Sequence, residues 1–169
     1  MTDTERLLTA ETERIELGTT IEKGIRRCRN GDWETGLGLL RKAARKEERE
    51  VSFSSLYYSY LGYGAARFDG ERKDGLALCK HAVQMDRDEP ENYLNLARVY
   101  LLAGDRKRAV AAVQQGLKAN AHFVPLLALR AGMGYRQRPV LGFLSRDNWL
   151  NRLLGKRRHS RLKTERETV

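Results

Sequence analysis

The sequence predicts an all-α chain, a solenoid in which helix pairs stack one after another. Three observations carry that prediction. Columns of similar residues recur at one shared pair of spacings. Within a unit, apolar residues fall at the i, i+3, i+4, i+7 positions of one helical face. Small residues occupy the columns where two helices would have to touch, and helix axes approach to about 8 Å only where side chains are small.

The repeat determines the whole fold. Aligning Gly31-Asp32, Gly70-Glu71 and Gly104-Asp105 gives spacings of 39 and 34 residues. The same spacings relate Gly36, Gly75 and Ala109, then Leu37, Leu76 and Val110. They also relate Leu40, Cys79 and Val113, and Ala43, Ala82 and Gly116. Upstream, Gly24, Gly62 and Ala97 stand 38 and 35 apart. Most of the excess in the first interval therefore lies between units, around Lys46–Ser54. One further residue falls in the turn before Gly70.

The elements follow in order. Residues 1–17 form an acidic segment with five acids against two bases. The first pair is predicted over 19–29 and 33–47, turning at Gly31-Asp32. The second is predicted over 52–67 and 71–86. Its first helix crowds Tyr57, Tyr58, Tyr60 and Tyr63 at helical spacing, which reads as core and groove wall. Asp86, Asp88 and Glu89 mark the next inter-unit turn, where capping and solvation account for them. Pro90 then opens the third pair, suited by its fixed φ and missing N–H. That pair is predicted over 90–103 and 106–119, with Tyr93, Leu96, Ala97 and Tyr100 on one face and Ala109, Val113 and Leu117 on the other helix. A last helix is predicted over 123–134, before the pattern stops at Gly132 and Gly134.

The run Tyr93, Leu96, Ala97, Tyr100, Gly104-Asp105, Ala109, Val113 and Gly116 resembles a tetratricopeptide repeat. The second unit matches at Leu61, Gly62, Gly75, Cys79 and Ala82. The first matches at Gly24, Gly31-Asp32, Leu40 and Ala43, with Arg27 in the family's Tyr slot. Ala121 stands where the family often has Pro. The resemblance covers about residues 18–121. It implies a right-handed superhelix whose first helices line a concave groove for a peptide or protein surface, and it implies no catalytic activity. Carried over by register, the groove residues are Ile25 and Arg29, then Ser59, Tyr63 and Arg67, then Leu94, Arg98 and Leu101. The three arginines make the groove basic over apolar patches, and arginine forks match carboxylates. Solvated arginines, or arginines paired with nearby acids, are the leading reading of that charge; as partner contacts they would suit a protein or peptide with acidic groups. The Lys and Asn clamp of the chaperone-binding subset is absent, since its slots include Ser59, Tyr63, Leu94 and Arg98.

After Pro139, Ser145-Arg146-Asp147-Asn148 reads as the cap of a short helix carrying Trp149, Leu150, Leu153 and Leu154 on one stripe. Three roles compete for 135–155: a cap on the solenoid end, a docking motif, or a basic amphipathic membrane anchor. The cap leads because every solenoid needs one. Residues 156–169 read as a basic, disordered tail.

Charge sharpens this. The 169-residue chain carries 32 Lys and Arg against 22 Asp and Glu, a net +10, with pI near 9.9. Residues 136–169 hold ten bases and three acids. The surplus is thus largely a separable electrostatic handle. Two different-class alternatives stand beside groove binding: tail-driven binding of an anionic surface, membrane or nucleic acid, and a self-associating structural solenoid. Nucleic acid ranks below protein because the tail lacks stacking aromatics between its basic residues. No 18-residue apolar run occurs, and the acidic start does not read as a secretory leader, so a cytoplasmic protein is expected. His81, His122 and His159 form no i, i+4 pair, and Cys28 and Cys79 lie 51 apart, so no metal site, cofactor or catalytic residue is expected. Gly62-Tyr63-Gly64 and Gly132-Met133-Gly134 lack the rest of a dinucleotide fingerprint.

Overall fold

The computed structural model describes residues 3–45, 53–134, 149, 153 and 154. Among them are seven α-helices, one π-helical turn and no strand. The helices are α1 (Asp3–Arg29), α2 (Trp33–Ala44), α3 (Ser55–Gly64), α4 (Arg72–Met85), α5 (Pro90–Leu102), α6 (Arg106–Ala119) and α7 (Val124–Gly132), with the π turn at Ala65–Asp69 after α3. The chain divides into two units, Met1–Met133 and Gly134–Val169. In the second, Trp149 and Leu153 are helical and exposed and Leu154 is partly buried, while Leu150, the rest of the predicted cap and the basic tail lie outside the described residues. Most of the predicted linker around Lys46–Ser54 lies outside them too.

The first unit is a helical repeat solenoid. Its pairs are α1–α2, α3–α4 and α5–α6, followed by α7. The one large departure from the predicted boundaries is α1, which runs back through the acidic segment to Asp3. Leu17 continues the buried stripe of Ile21, Ile25 and Cys28, so the apolar face does not stop at residue 19.

The three intra-pair turns share one mechanism. Gly31, Gly70 and Gly104 each adopt a left-handed φ between 76° and 86°, a conformation that costs glycine nothing and other residues a steric clash. Asp32 and Asp105 then cap the second helices, accepting the backbone N–H of Thr35 and of Arg108. The Thr35 hydrogen bond, with Arg27 alongside, holds the Asp32 carboxyl below the usual carboxylate value. Glu71 makes no such cap.

The extra residue before Gly70 has a structural counterpart. In the first and third turns, the N–H of Asp32 and of Asp105 reaches back five residues, to the carbonyls of Arg27 and Tyr100. In the second, the N–H of Glu71 reaches back six, to Ala65 at 3.0 Å. The π turn absorbs the added residue without breaking the pair.

The small-residue columns are sites of backbone contact. A Cβ on Gly62 would lie 2.7 Å from the carbonyl oxygen of Gly75 and 2.9 Å from Cys79 Sγ. Gly24 and Gly36 face each other in the same way in the first pair. In the third, Ala97 and Ala109 fill the equivalent slots and are fully buried. Two cores result. One gathers Leu17, Ile21, Ile25, Leu37, Leu40, Phe53, Tyr57 and Tyr60. The other gathers Tyr63, Cys79, Leu94, Ala97, Val99, Val113 and Leu126. Helix α3 contributes to both, and Trp33 packs against both.

Candidate functional site

Among the described residues, α1 packs on α3 and α3 on α5, whereas α2, α4 and α6 do not reach one another. The first helices are therefore the inner layer of the stack and the second helices the outer one. The predicted groove residues all lie on the inner layer or on the π turn, and the structure sorts them by accessibility. Ile25, Ser59, Tyr63 and Leu94 are buried. Arg98 and Leu101 are partly buried, and Arg29 and Arg67 are exposed. Burial of Ile25, Ser59, Tyr63 and Leu94 is a correction to their placement on the groove surface. The inner helices pack closely enough that these positions become contacts between units.

Polar groups organise this layer. Ser59 Oγ accepts a hydrogen bond from Asn95 Nδ2 at 3.1 Å, and Asn95 Oδ1 accepts one from Arg98 at 3.2 Å. Both Ser59 and Asn95 are fully buried, so their pairing removes the penalty of stranding polar groups in the core. At the far end, Asn92 donates to the carbonyls of Ala82 and Asp86 and closes the C-terminus of α4.

Glu91 is the central charge, and sequence reasoning missed it. It sits one position after Pro90 at the start of α5, with its side chain only 9% exposed. Arg29 grips the carboxylate as a fork, with Nε 3.0 Å from each oxygen and an ion pair to Oε2. Tyr60 donates its hydroxyl to Oε1. One carboxylate thus joins all three first helices. Helices α1 and α5 do not pack directly, so Arg29 spans from the first pair to the third. The hydrogen bond to Glu91 pushes the Arg29 guanidinium up from its ordinary value. Burial, then the bond to Glu91, pushes the Tyr60 phenol up.

Arg98 and Arg67 contrast with Arg29. Among the described residues neither has a carboxylate partner, whereas Arg27, Arg29, Arg41 and Arg108 each have one. Arg98 stacks on the Tyr63 ring and Arg67 on the Phe68 ring. Trp33 lies against Tyr60, Tyr63 and Phe68, and Phe68 is half exposed. Trp33 and Phe68 were also missed. The single signal available for Phe68 was the extra residue before Gly70, which has no chemistry until the turn is folded.

Both thiols are buried and free. Burial raises Cys28 to about 11 and Cys79 to about 12. Neither is a thiolate at neutral pH, which removes the nucleophile a reactive cysteine would need.

Residues 69–132 match a family model described as tetratricopeptide repeat. The match takes in α4, the third pair and α7. No curated protein matches the chain.

Proposed function

We propose that this chain, with its tetratricopeptide repeats over residues 69–132, is a non-enzymatic adaptor or scaffold that binds a protein partner along its inner layer. Such repeats generally mediate protein–protein interaction. One observation carries the reading to this surface: among the described residues Arg67 and Arg98 lie on it stacked on aromatic rings and without a carboxylate partner, whereas Arg29 on the same layer is neutralised by Glu91. Leaving two stacked guanidiniums unmatched favours a partner that brings acidic groups. Leu101 adds apolar area beside them. Ile25, Ser59, Tyr63 and Leu94 support the surface from behind, and Arg29 is taken up by Glu91.

Two buried thiols suit a reducing compartment, which fits a cytoplasmic protein. No described helix is long and apolar enough to cross a membrane. The basic tail is a separate electrostatic handle in this reading.

The test is charge reversal of Arg67 and Arg98 together, R67E with R98E, followed by identification of proteins that co-purify from the native host. The expected result is loss of one or more partners that otherwise survive moderate salt. An unchanged partner list overturns the reading. Partners retained by both proteins but lost between low and moderate salt belong to the tail, since screening removes exposed charge contacts.

A further inference from the structure

Arg67 and Arg98 are the ends of one continuous strip. Arg98 Cζ lies 5.3 Å from the centre of the Tyr63 ring. The Tyr63 ring meets Trp33 edge-on, with centroids 5.0 Å apart. Trp33 lies 5.8 Å from Phe68, and Arg67 Cζ stands 5.5 Å from the Phe68 ring. The order is cation, three aromatic rings, cation. It draws on α5, α3, α2 and the π turn, so it crosses all three helix pairs.

The π turn makes the strip. Each residue of a helix advances about 100° around its axis. One added residue therefore turns Phe68 and Asp69 round by about that much relative to the other two turns. Phe68 then meets Trp33 of the first pair, and Asp69 forms an ion pair with Arg41 on the same helix. Asp69, the acid nearest Arg67 in sequence, is thereby occupied elsewhere.

A guanidinium stacked on a ring uses its flat face and leaves its in-plane N–H donors free to fork a carboxylate. Arg98 spends one nitrogen on Asn95 and keeps the rest. The fold already contains one carboxylate held by this chemistry: Glu91 lies in the fork of Arg29 with an aromatic hydroxyl beside it. Exposure rises along the strip, from buried Tyr63 through partly buried Trp33 to Phe68 at 50%. An apolar side chain from outside would therefore seat on Phe68 and the rim of Trp33.

We propose that this strip is the docking site for an acidic peptide segment, with an apolar side chain on Phe68 and Trp33 and flanking carboxylates forked by Arg67 and Arg98. The proposal rests on the reading of the inner layer as a protein-binding surface and adds a site that runs from that layer to Trp33 at the start of α2, and the partner's chemistry. Single-stranded nucleic acid is disfavoured, because bases need successive open ring faces and, of the three rings, only Phe68 is exposed.

The probe is a fluorescein-labelled peptide, Glu-Glu-Phe-Glu-Glu, titrated into the full chain and followed by anisotropy. Controls are the same peptide with Gln for Glu and with Ala for Phe, and a dT15 oligonucleotide. Phe68→Ala is expected to weaken the peptide by about tenfold, the loss of one well-placed aromatic contact. R67E with R98E is expected to abolish binding, and both control peptides are expected to bind weakly. Phe68→Leu keeps the apolar surface and guards against a folding artefact. It should retain most of the affinity. Binding that ignores Phe68→Ala, or a dT15 complex that depends on Phe68 where the peptide does not bind, overturns the proposal. If the peptide fails while charge reversal still changes the co-purifying partners, this inference falls and the protein-binding reading stands.

Discussion

In the third helix pair, α5 and α6 meet through Ala97 and Ala109, and Tyr100 closes the turn above them. In the first pair the same contact slots hold Gly24 and Gly36, and Arg27 replaces the tyrosine. Glycine lets the backbones of α1 and α2 close further, but each glycine inside a helix costs about 1 kcal/mol relative to alanine. The first core recovers stability from different chemistry: branched aliphatics on α1, the Phe53–Tyr57 contact at 4.3 Å from the neighbouring pair, and the Arg29 fork, whose carboxylate, Glu91, belongs to the third pair. The third pair gains in addition from Leu126 of α7, fully buried, which packs on it from the far side. Each such leucine contributes about 2 kcal/mol. The same plan is thus held by alanine contacts at one end and by glycine contacts and aromatics at the other, with one charge pair linking the two.

Substitutions can break this contrast where it is sharpest. Gly36→Ala in the first pair should give the largest effect. The new Cβ would lie 2.9 Å from both the Gly24 carbonyl oxygen and the Cys28 nitrogen, backbone atoms that cannot rotate away. A loss of about 2–3 kcal/mol in urea unfolding is expected, from overpacking. Ala109→Gly in the third pair should cost only about 1 kcal/mol, as helix propensity alone. Equal losses from the two would mean that the pairs are packed alike after all.

The charge pair comes next. Arg29→Met should cost about 2 kcal/mol, below the range of about 3–5 kcal/mol for breaking a fully buried pair, because Arg29 itself is half exposed. Adding Glu91→Gln to it should restore part of that loss, since the orphaned carboxylate is gone. A double variant no better than the single one removes the pair from the account of the first helix.

The smallest effect is alkaline. Cys28 and Cys79 bind their protons more tightly folded than unfolded, and so does Tyr60. Their contribution is complete below the unfolded thiol value of 9.0 and is lost as pH rises toward the folded values. Unfolding free energies from urea titrations should be level from pH 7 to about 8.5 and fall above 9, by about 1 kcal/mol per thiol near pH 10. Cys28→Ala should flatten part of that slope. A free energy that rises with pH would reverse the sign and sink the argument.

The fold was legible because the residues that carry it act locally. Gly31, Gly70 and Gly104 announce three turns, Pro90 a helix start, and the small columns a contact that any pairing of those helices must make. The helix α6 follows its predicted span, Arg106–Ala119. What was not legible depends on distance. Arg29 and Glu91 are 62 residues apart, and no pattern along the chain joins them. Leu94 and Ser59 occupy groove slots by register, yet their accessibility depends on how closely α3 and α5 pack, which register does not report. Phe68 was visible only as a count, one residue too many before a glycine.

The Arg29 fork has a consequence for how the chain comes apart. In a linear array of repeats, energy is a sum of terms within units and between immediate neighbours, so an end unit can fray while the rest holds. Glu91 adds a term that skips a neighbour. If α1 peels away, it leaves a buried carboxylate in the third pair without its counter-ion, and the penalty falls two units from where the break began. Tension on the N-terminus would therefore be resisted in the middle of the array. The three helix pairs should yield in one step, where a nearest-neighbour stack would yield in three.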